Sequence, residues 1–336
     1  MEKTKKALIT GVTGQDGSYL AKFLLDKGYQ VVGTTRNRSE SNLANLKFLR
    51  IHEQIELALV DLEDKSAVEN LIGTYKPHEI YNLAAQSSVG QSFKIPSETF
   101  YFNTSSVVNF LEGIRNLDAS IKFYQASSSE MFGNVDSKLL PIKESLAFNP
   151  VSPYGISKAS AHWLTNTYRN AYGIFAACGI LFNHESCLRG ENFVIKKIIN
   201  TAVRISRGED LILELGNLDI YRDWGYAPKY VEAMWAILQQ EEPQDVIICS
   251  GQSYSLQQIV VQVFDHLELD LGGNLQLNRE FMRPVELHAI VGDNQKARTL
   301  LQWDYNISSL SQLIEKLVHD ELEWMAWKEK QSLAKP

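Results

Sequence analysis

Short apolar runs of strand length alternate with longer segments of helical period through the first half of the chain, the pattern of a parallel sheet with crossover helices. Ala7 to Thr10 reads as a first strand, Gly17 to Lys27 as a helix with Leu20, Phe23 and Leu24 on one face, and Gln30 to Gly33 as a second strand. Gly28 stands where a helix C-terminus is expected. Ile55 to Val60, Glu79 to Asn82 and Ile121 to Ala126 are further strands, separated by helices over Lys65 to Tyr75 and Glu98 to Asn116. A helix over Ser157 to Tyr172 leads to a sixth strand at Ile174 to Leu181. Beyond Asn183 the pattern turns irregular, with glycine turns at Arg207-Gly208, Leu215-Gly216-Asn217 and Leu271-Gly272-Gly273, which predicts a smaller lobe of mixed short elements. One strand-like run returns at Asp245 to Cys249, and Lys328 to Pro336 reads as a frayed end. The expected fold class is α/β: a doubly wound parallel sheet with a smaller, interleaved α/β lobe.

Composition narrows the partners. The 336 residues carry 33 Lys+Arg against 40 Asp+Glu, a formal charge of −7, and no stretch gathers a basic stripe for phosphate tracking. Nucleic acid and anionic membrane are therefore excluded as expected partners. No apolar run approaches the ~20 residues that span a bilayer, and Lys5-Lys6 leads directly into the first strand without a signal-peptide core. A soluble cytoplasmic protein is expected. Cys178, Cys187 and Cys249 have neither an even count for disulfides nor zinc-site spacing, so they are read as reduced, and no metal is expected.

Directly after the first strand comes Gly11-Val12-Thr13-Gly14-Gln15-Asp16-Gly17. Glycines at a strand-to-helix turn let the backbone turn tightly and let a pyrophosphate approach the helix N-terminus, the device of a Rossmann-type dinucleotide site. The GxxGxxG spacing resembles that of the short-chain dehydrogenase/reductase superfamily. The second strand runs into Thr34-Thr35-Arg36-Asn37-Arg38-Ser39 in place of an acidic residue for a ribose 2′-hydroxyl. Arg36 and Arg38 suit a 2′-phosphate, which favours NADP over NAD; the alternative is a solvated basic loop. Asp61 and Leu62 follow the third strand, where the superfamily places an adenine ring. Leu83, Ala84, Ala85, Gln86 and Ser87 follow the fourth, beside the pyrophosphate and nicotinamide ribose.

Tyr154 and Lys158 form a Tyr-x-x-x-Lys pair whose spacing puts both on one helix face. A nearby ammonium is expected to lower the tyrosine pKa toward a value useful for taking a proton from a sugar hydroxyl. Upstream, Gln125-Ala126-Ser127-Ser128-Ser129-Glu130 ends the fifth strand at the carboxyl edge of the sheet. Ser128 offers a hydroxyl for a substrate oxygen. From position alone Glu130 reads either as an exposed loop glutamate or as a carboxylate that moves a carbon-bound proton.

With these residues in place, the chain resembles the GDP-mannose 4,6-dehydratase family over nearly its whole length. The resemblance rests on Ile9 to Leu20, Tyr81 to Ser87, Phe123 to Gly133, Ser152 to Gly155, Gly179 to Ser186, Leu215 to Gly225 and Tyr230 to Trp235. It implies that Ser128, Glu130, Tyr154 and Lys158 are the catalytic set. Tyr154 would take the C4 hydroxyl proton as the C4 hydride moves to NADP, and Glu130 would remove the C5 proton and assist loss of the C6 hydroxyl. The implied product is GDP-4-keto-6-deoxymannose, formed with no net redox change. The resemblance also places His184 and Arg189 on the cofactor, Arg189 across a subunit interface. Ser87, Glu130, Asn183, Lys197, Arg222, Arg283 and Glu286 fall on the nucleotide-sugar side. It implies an NADP-binding domain over 1–183, completed by segments near 215–250, a substrate lobe mainly over 184–336, and a homo-oligomer, dimer or tetramer. Ser128 stands where the family usually has threonine, and keeps the hydroxyl. Val151 stands where arginine is usual, a charge change compatible with another GDP-sugar such as a GDP-heptose. An NADP-dependent nucleotide-sugar reductase or 4-epimerase is the alternative class, in which Glu130 has no catalytic work.

Overall fold

The first strand, β1 (Lys6–Thr10), sends Ala7 and Ile9 into one apolar cluster and Leu8 into another. A strand covered on both faces belongs inside a parallel sheet. The structure, a computed structural model, describes residues 4–281 and 285–333. After β1 come α1 (Gln15–Asp26), β2 (Gln30–Thr35), α2 (Glu40–Phe48), β3 (Glu56–Leu59), α3 (Lys65–Tyr75), β4 (Glu79–Asn82), α4 (Val89–Ser92), α5 (Pro96–Leu117), β5 (Lys122–Ser128), α6 (Pro153–Tyr172) and β6 (Ala176–Leu181). The chain continues through β7 (Asn183–Glu185), α7 (Val194–Ser206), β8 (Leu213–Leu215), β9 (Tyr221–Tyr226), α8 (Ala227–Leu238), β10 (Val246–Ile248), β11 (Ser253–Ser255) and α9 (Leu256–His266). It closes with β12 (Leu275–Leu277), β13 (Ala289–Ile290), α10 (Gln295–Leu300) and α11 (Leu310–Leu333).

Seven parallel strands form the main sheet in the order β10-β6-β5-β4-β1-β2-β3. The alternation seen in β1 repeats at Ile80/Tyr81 and Phe123/Tyr124, so one face packs under Leu20 and Leu24 of α1 and Ile237 of α8. The other packs under Val68 of α3 and Phe110 of α5. The winding direction reverses between β1 and β4, which opens a crevice outside the carboxyl ends of those strands. The run at Asp245 to Cys249 supplies β10, the edge strand beside β6.

The second half differs from the expected mixture of short elements. It holds four helices of 11 to 24 residues, α7, α8, α9 and α11. In α7, Ile195, Ile198, Ile199, Ala202 and Val203 are buried at helical spacing. Between these helices lie strands of only two to six residues, which break the alternation that marks the first half: β11-β9-β13 with β7 on β9, and β12 on β8. From Lys328 to Leu333 the chain is not frayed as expected but continues α11; Ala334 to Pro336 lie outside the described residues. A buried ion pair between Lys196 of α7 and Glu321 of α11, with Asn200 donating to Glu321 at 2.8 Å, fastens this last helix. Among the described residues no helix is long and apolar enough to cross a membrane.

Candidate active site

At the crevice, a Cβ on Gly17 would lie 2.3 Å from the Gly11 carbonyl oxygen, so only glycine lets α1 abut the turn after β1. Gly14 starts the helix with no side-chain cap. The first-turn N–H groups and the positive end of the helix dipole therefore face outward, and an anionic diphosphate fits such a helix start. The Leu83 and Ala84 N–H groups both donate to Thr10 Oγ1 at 2.9 Å, fixing the loop after β4 beside this turn. Gln86 is held through Asn103, whose side chain accepts from the Gln86 N–H (2.8 Å) and donates to the Gln86 carbonyl and to Ser157 Oγ. Ala85 is half-buried and Ser87 exposed in the same loop.

Gln15, Asp16 and His184 are brought together as a clasp. Gln15 donates to the His184 carbonyl (3.2 Å) and accepts from Ser186 Oγ (2.8 Å). His184 Nε2 lies 2.9 Å from Asp16 Oδ2, its Nδ1 lies 2.7 Å from the Phe182 carbonyl, and its ring stacks on Tyr230. These side chains fix β7 against the start of α1. Burial works to raise the Asp16 pKa, but His184, through its charge and hydrogen bond, together with the Arg189 charge and the Gln15 hydrogen bond, outweighs it and holds the carboxyl down to about 2. A depressed carboxylate pKa contributes stability that is present above the unfolded value of 3.8 and is lost as pH falls through about 2. Asp16→Asn is therefore expected to destabilise by ~2 kcal/mol at neutral pH, and the difference should shrink as pH falls from about 4 to 2. Urea unfolding across that range checks it, and a penalty independent of pH would contradict the pairing.

Arg36 ends exposed just beyond β2, and Arg38 donates to the Leu57 carbonyl at 2.5 Å. Ser39 caps α2 by accepting the Asn42 N–H, and Thr13 bonds to Asn42 (3.2 Å) and Asn45 (3.0 Å), which joins this arginine turn to the glycine turn. Asp61 is exposed after β3; Leu62 is buried, its carbonyl held by Asn109.

The carboxyl end of β5 meets the first turn of α6. Ser152 caps α6, and a Cβ on Gly155 would stand 2.8 Å from the Glu130 carbonyl oxygen, so glycine lets the helix lie directly against the turn at Ser129–Phe132. Ser128 and Tyr154 are each 8% exposed. The Ser128 side chain lies close enough to Tyr154 to act on its phenol, and accepts the Glu130 N–H at 3.3 Å. Lys158 donates to the Ala126 carbonyl at 2.8 Å and sits 5.9 Å from the centre of the Tyr154 ring. Here the expected lowering of the tyrosine pKa is not met. Burial pushes Tyr154 up to about 12, the Glu130 charge adds to that, and the nearby Ser128 hydroxyl and Arg189 oppose it. The ammonium points at a backbone carbonyl instead of the phenol. Burial also lowers Lys158 to about 8 against the pull of Asp16.

Arg189 lies between Glu185, 3.7 Å away, and the face of Phe193, with its charge felt at Tyr154 and Asp16. In the second lobe Arg222 is buried and donates to Glu286 at 2.9 Å. Lys197 packs over Phe281 at 3.7 Å, and Asn183 opens β7. Arg283 lies outside the described residues. Asn103 escaped sequence reasoning, although a signal was present: Thr99, Asn103 and Ser106 are polar residues on the buried face of α5 that also carries Phe110.

A reversing parallel sheet, a glycine turn at its switch point and a buried Ser128, Tyr154 and Lys158 together define a short-chain dehydrogenase/reductase. The sequence profile of the GDP-mannose 4,6 dehydratase family matches residues 8–317, and the chain belongs to that family. It is 42% identical over 333 residues to GDP-mannose 4,6 dehydratase 2 of Arabidopsis thaliana, covering 96% of this chain and 88% of the relative. Among solved structures, dTDP-glucose 4,6-dehydratase from Bacillus anthracis in complex with NAD is similar at a TM-score of 0.83 and 19% identity, covering 97% of this chain and 98% of that one. RMD from Pseudomonas aeruginosa complexed with NADPH is similar at a TM-score of 0.79 and 21% identity, covering 96% and 98%. These two likenesses speak for the fold.

Proposed function

We propose that the protein is a lyase, an NADP-dependent 4,6-dehydratase that converts GDP-mannose to GDP-4-keto-6-deoxymannose. The observation that carries this reading is Glu130, held on the turn that follows Ser128 and close enough for its charge to act on Tyr154. The glycine turn, Leu83 to Ser87 and the arginine turn hold the cofactor, and the lobe built mainly from 184–336 holds the nucleotide sugar through Asn183, Lys197, Arg222, Arg283 and Glu286. When bound, the nicotinamide ring supplies the place where the C4 hydride is kept until it returns to C6. Ser128 orients the C4 oxygen and Tyr154 takes its proton, with Lys158 and Arg189 as the positive charges nearby. The resulting ketone acidifies C5, and Glu130 takes that proton and delivers it to the departing C6 hydroxyl. Of the two protons removed, one leaves in the water and the other returns to C5.

Arg36 and Arg38 support a 2′-phosphate. Arg36→Ser is expected to weaken NADP binding about tenfold to a hundredfold, the loss of one charge-assisted contact, and to leave NAD binding unchanged. Fluorescence titration with both cofactors checks it, and equal loss for both would contradict the assignment. We read the protein as a cytoplasmic homo-oligomer. Phe100 and Tyr101 of α5 and Ile156 and Trp163 of α6 are exposed large hydrophobics on two helices that pack together, which supports association through that face.

The test is to incubate the purified protein separately with GDP-mannose, a GDP-heptose, UDP-glucose and dTDP-glucose, without reductant, and follow loss of one water by mass spectrometry. Preferential loss from GDP-mannose is expected. Turnover only with added NADPH would replace this reading with a reductase.

A further inference from the structure

One turn beyond Lys158 on α6, a second buried polar group faces the same strand. Tyr154, Lys158 and His162 follow one another at four-residue spacing and share a helix face. His162 is 4% exposed; its Nδ1 lies 3.0 Å from Ser127 Oγ and its Nε2 3.6 Å from Asp245 Oδ2. Asp245 is gripped by Arg169 through two parallel hydrogen bonds of 2.9 and 3.0 Å and accepts the Cys178 N–H at 2.9 Å. Phe148 closes edge-on over the imidazole, its centre 4.9 Å away. His162, Cys178 and Asp245 bring candidate ligand atoms within 4.8 Å of one another. Arg169 already satisfies both Asp245 oxygens, however, so the cation in this cluster is the protein's own. A cleft of about 610 Å³, lined by Phe148, His162, Trp163, Arg169, Asp245 and Lys296 among others, opens onto the network.

The network meets the reaction set at Ser127 on β5. Ser127 stands between Ala126, whose carbonyl holds Lys158, and Ser128, whose side chain acts on the Tyr154 phenol. We propose that His162 is a positioning residue of the active site: through Ser127 it fixes the stretch of β5 that sets Lys158 and Ser128, and Asp245 with Arg169 fixes His162. This rests on the reading of Ser128, Tyr154 and Lys158 as the reaction set. An apolar side chain could fill the same space; what the polar chain adds is a fixed geometry for β5 against α6.

The test compares His162→Phe, which keeps a ring under Phe148, His162→Asn, which keeps a polar atom near the position of Nδ1, and Ser127→Ala. His162→Phe and Ser127→Ala are each expected to lower kcat for water loss about tenfold, the cost of one buried hydrogen bond, with KM within about twofold. The double variant should be no worse than the weaker single variant by more than about twofold, because both changes cut the same link. His162→Asn should recover most of kcat. Unchanged kcat, a rise in KM alone, multiplying effects, or failure of asparagine to rescue would each overturn the proposal. The titration of Lys158, followed by NMR in ¹⁵N-lysine-labelled protein, is a readout independent of turnover. It should move in His162→Phe and Ser127→Ala and return toward the wild-type position in His162→Asn, and an unmoved titration would also overturn the proposal. Absence of water loss in the wild-type protein would instead refute the dehydratase reading, with the Lys158 titration still deciding the role of His162.

Discussion

Glu130→Gln is expected to lower the rate of water loss by about 10³-fold, within the range for removal of a general acid–base group. The substitution preserves size and the backbone bond from the Glu130 N–H to Ser128 Oγ, and removes only the ability to carry a proton between C5 and the C6 oxygen. The first half of the reaction is left standing. Mass spectrometry should therefore find a sugar that has lost two hydrogens and kept its C6 hydroxyl, and C5 deuterium exchange in heavy water should be suppressed. Full turnover by this variant would return Glu130 to an ordinary loop residue.

Tyr154→Phe is expected to cost at least as much, about 10³- to 10⁴-fold in kcat, and to stop the reaction earlier. The ring stays in its buried site against Ser128, so packing is retained. Neither the keto sugar nor the dehydrated product should form, which separates this variant from Glu130→Gln. Because burial pushes Tyr154 up to about 12 in the resting protein, its proton is lost more readily as pH rises. The wild-type rate should therefore rise on the alkaline side until Lys158, lowered to about 8, gives up its charge. A flat pH profile through that range would show that neither group titrates in the rate-limiting step.

The inner strands of the main sheet were legible because they are covered on both faces, as Val31/Val32, Ile80/Tyr81 and Phe123/Tyr124 show, and because most are followed by a helix with one apolar side. Glu79–Asn82 and Lys65–Tyr75 match their sequence expectations residue for residue. Where burial is one-sided or slight, the signal fails. In α2 only Leu46 is buried, and the one local cue to the helix was Ser39 at its cap. The second lobe was illegible for another reason: β12 on β8 and β7 on β9 are pairings of three residues made across long stretches of chain, and no local period announces them.

The site divides in the same way. Tyr154 and Lys158 were found because four-residue spacing is a local fact. The clasp of Gln15 with His184 joins residues 169 positions apart, and nothing in either segment reveals the partner. The sequence also carried the lysine but not its direction; the turn toward Ala126 depends on how closely α6 approaches β5, which Gly155 permits. His162 had a usable signal, a polar residue continuing the Tyr154–Lys158 face into a buried stretch.

The central claim is that one bound cofactor carries hydrogen from C4 to C6 of the same sugar while Glu130 moves the proton at C5. GDP-mannose labelled with deuterium at C4 tests it directly, with the product examined by NMR. Recovery of the label at C6, undiluted by unlabelled NADPH in the solution, is expected, together with one solvent deuterium at C5 when the reaction is run in heavy water. Label lost to the free cofactor pool, or retained at C4, would contradict the mechanism.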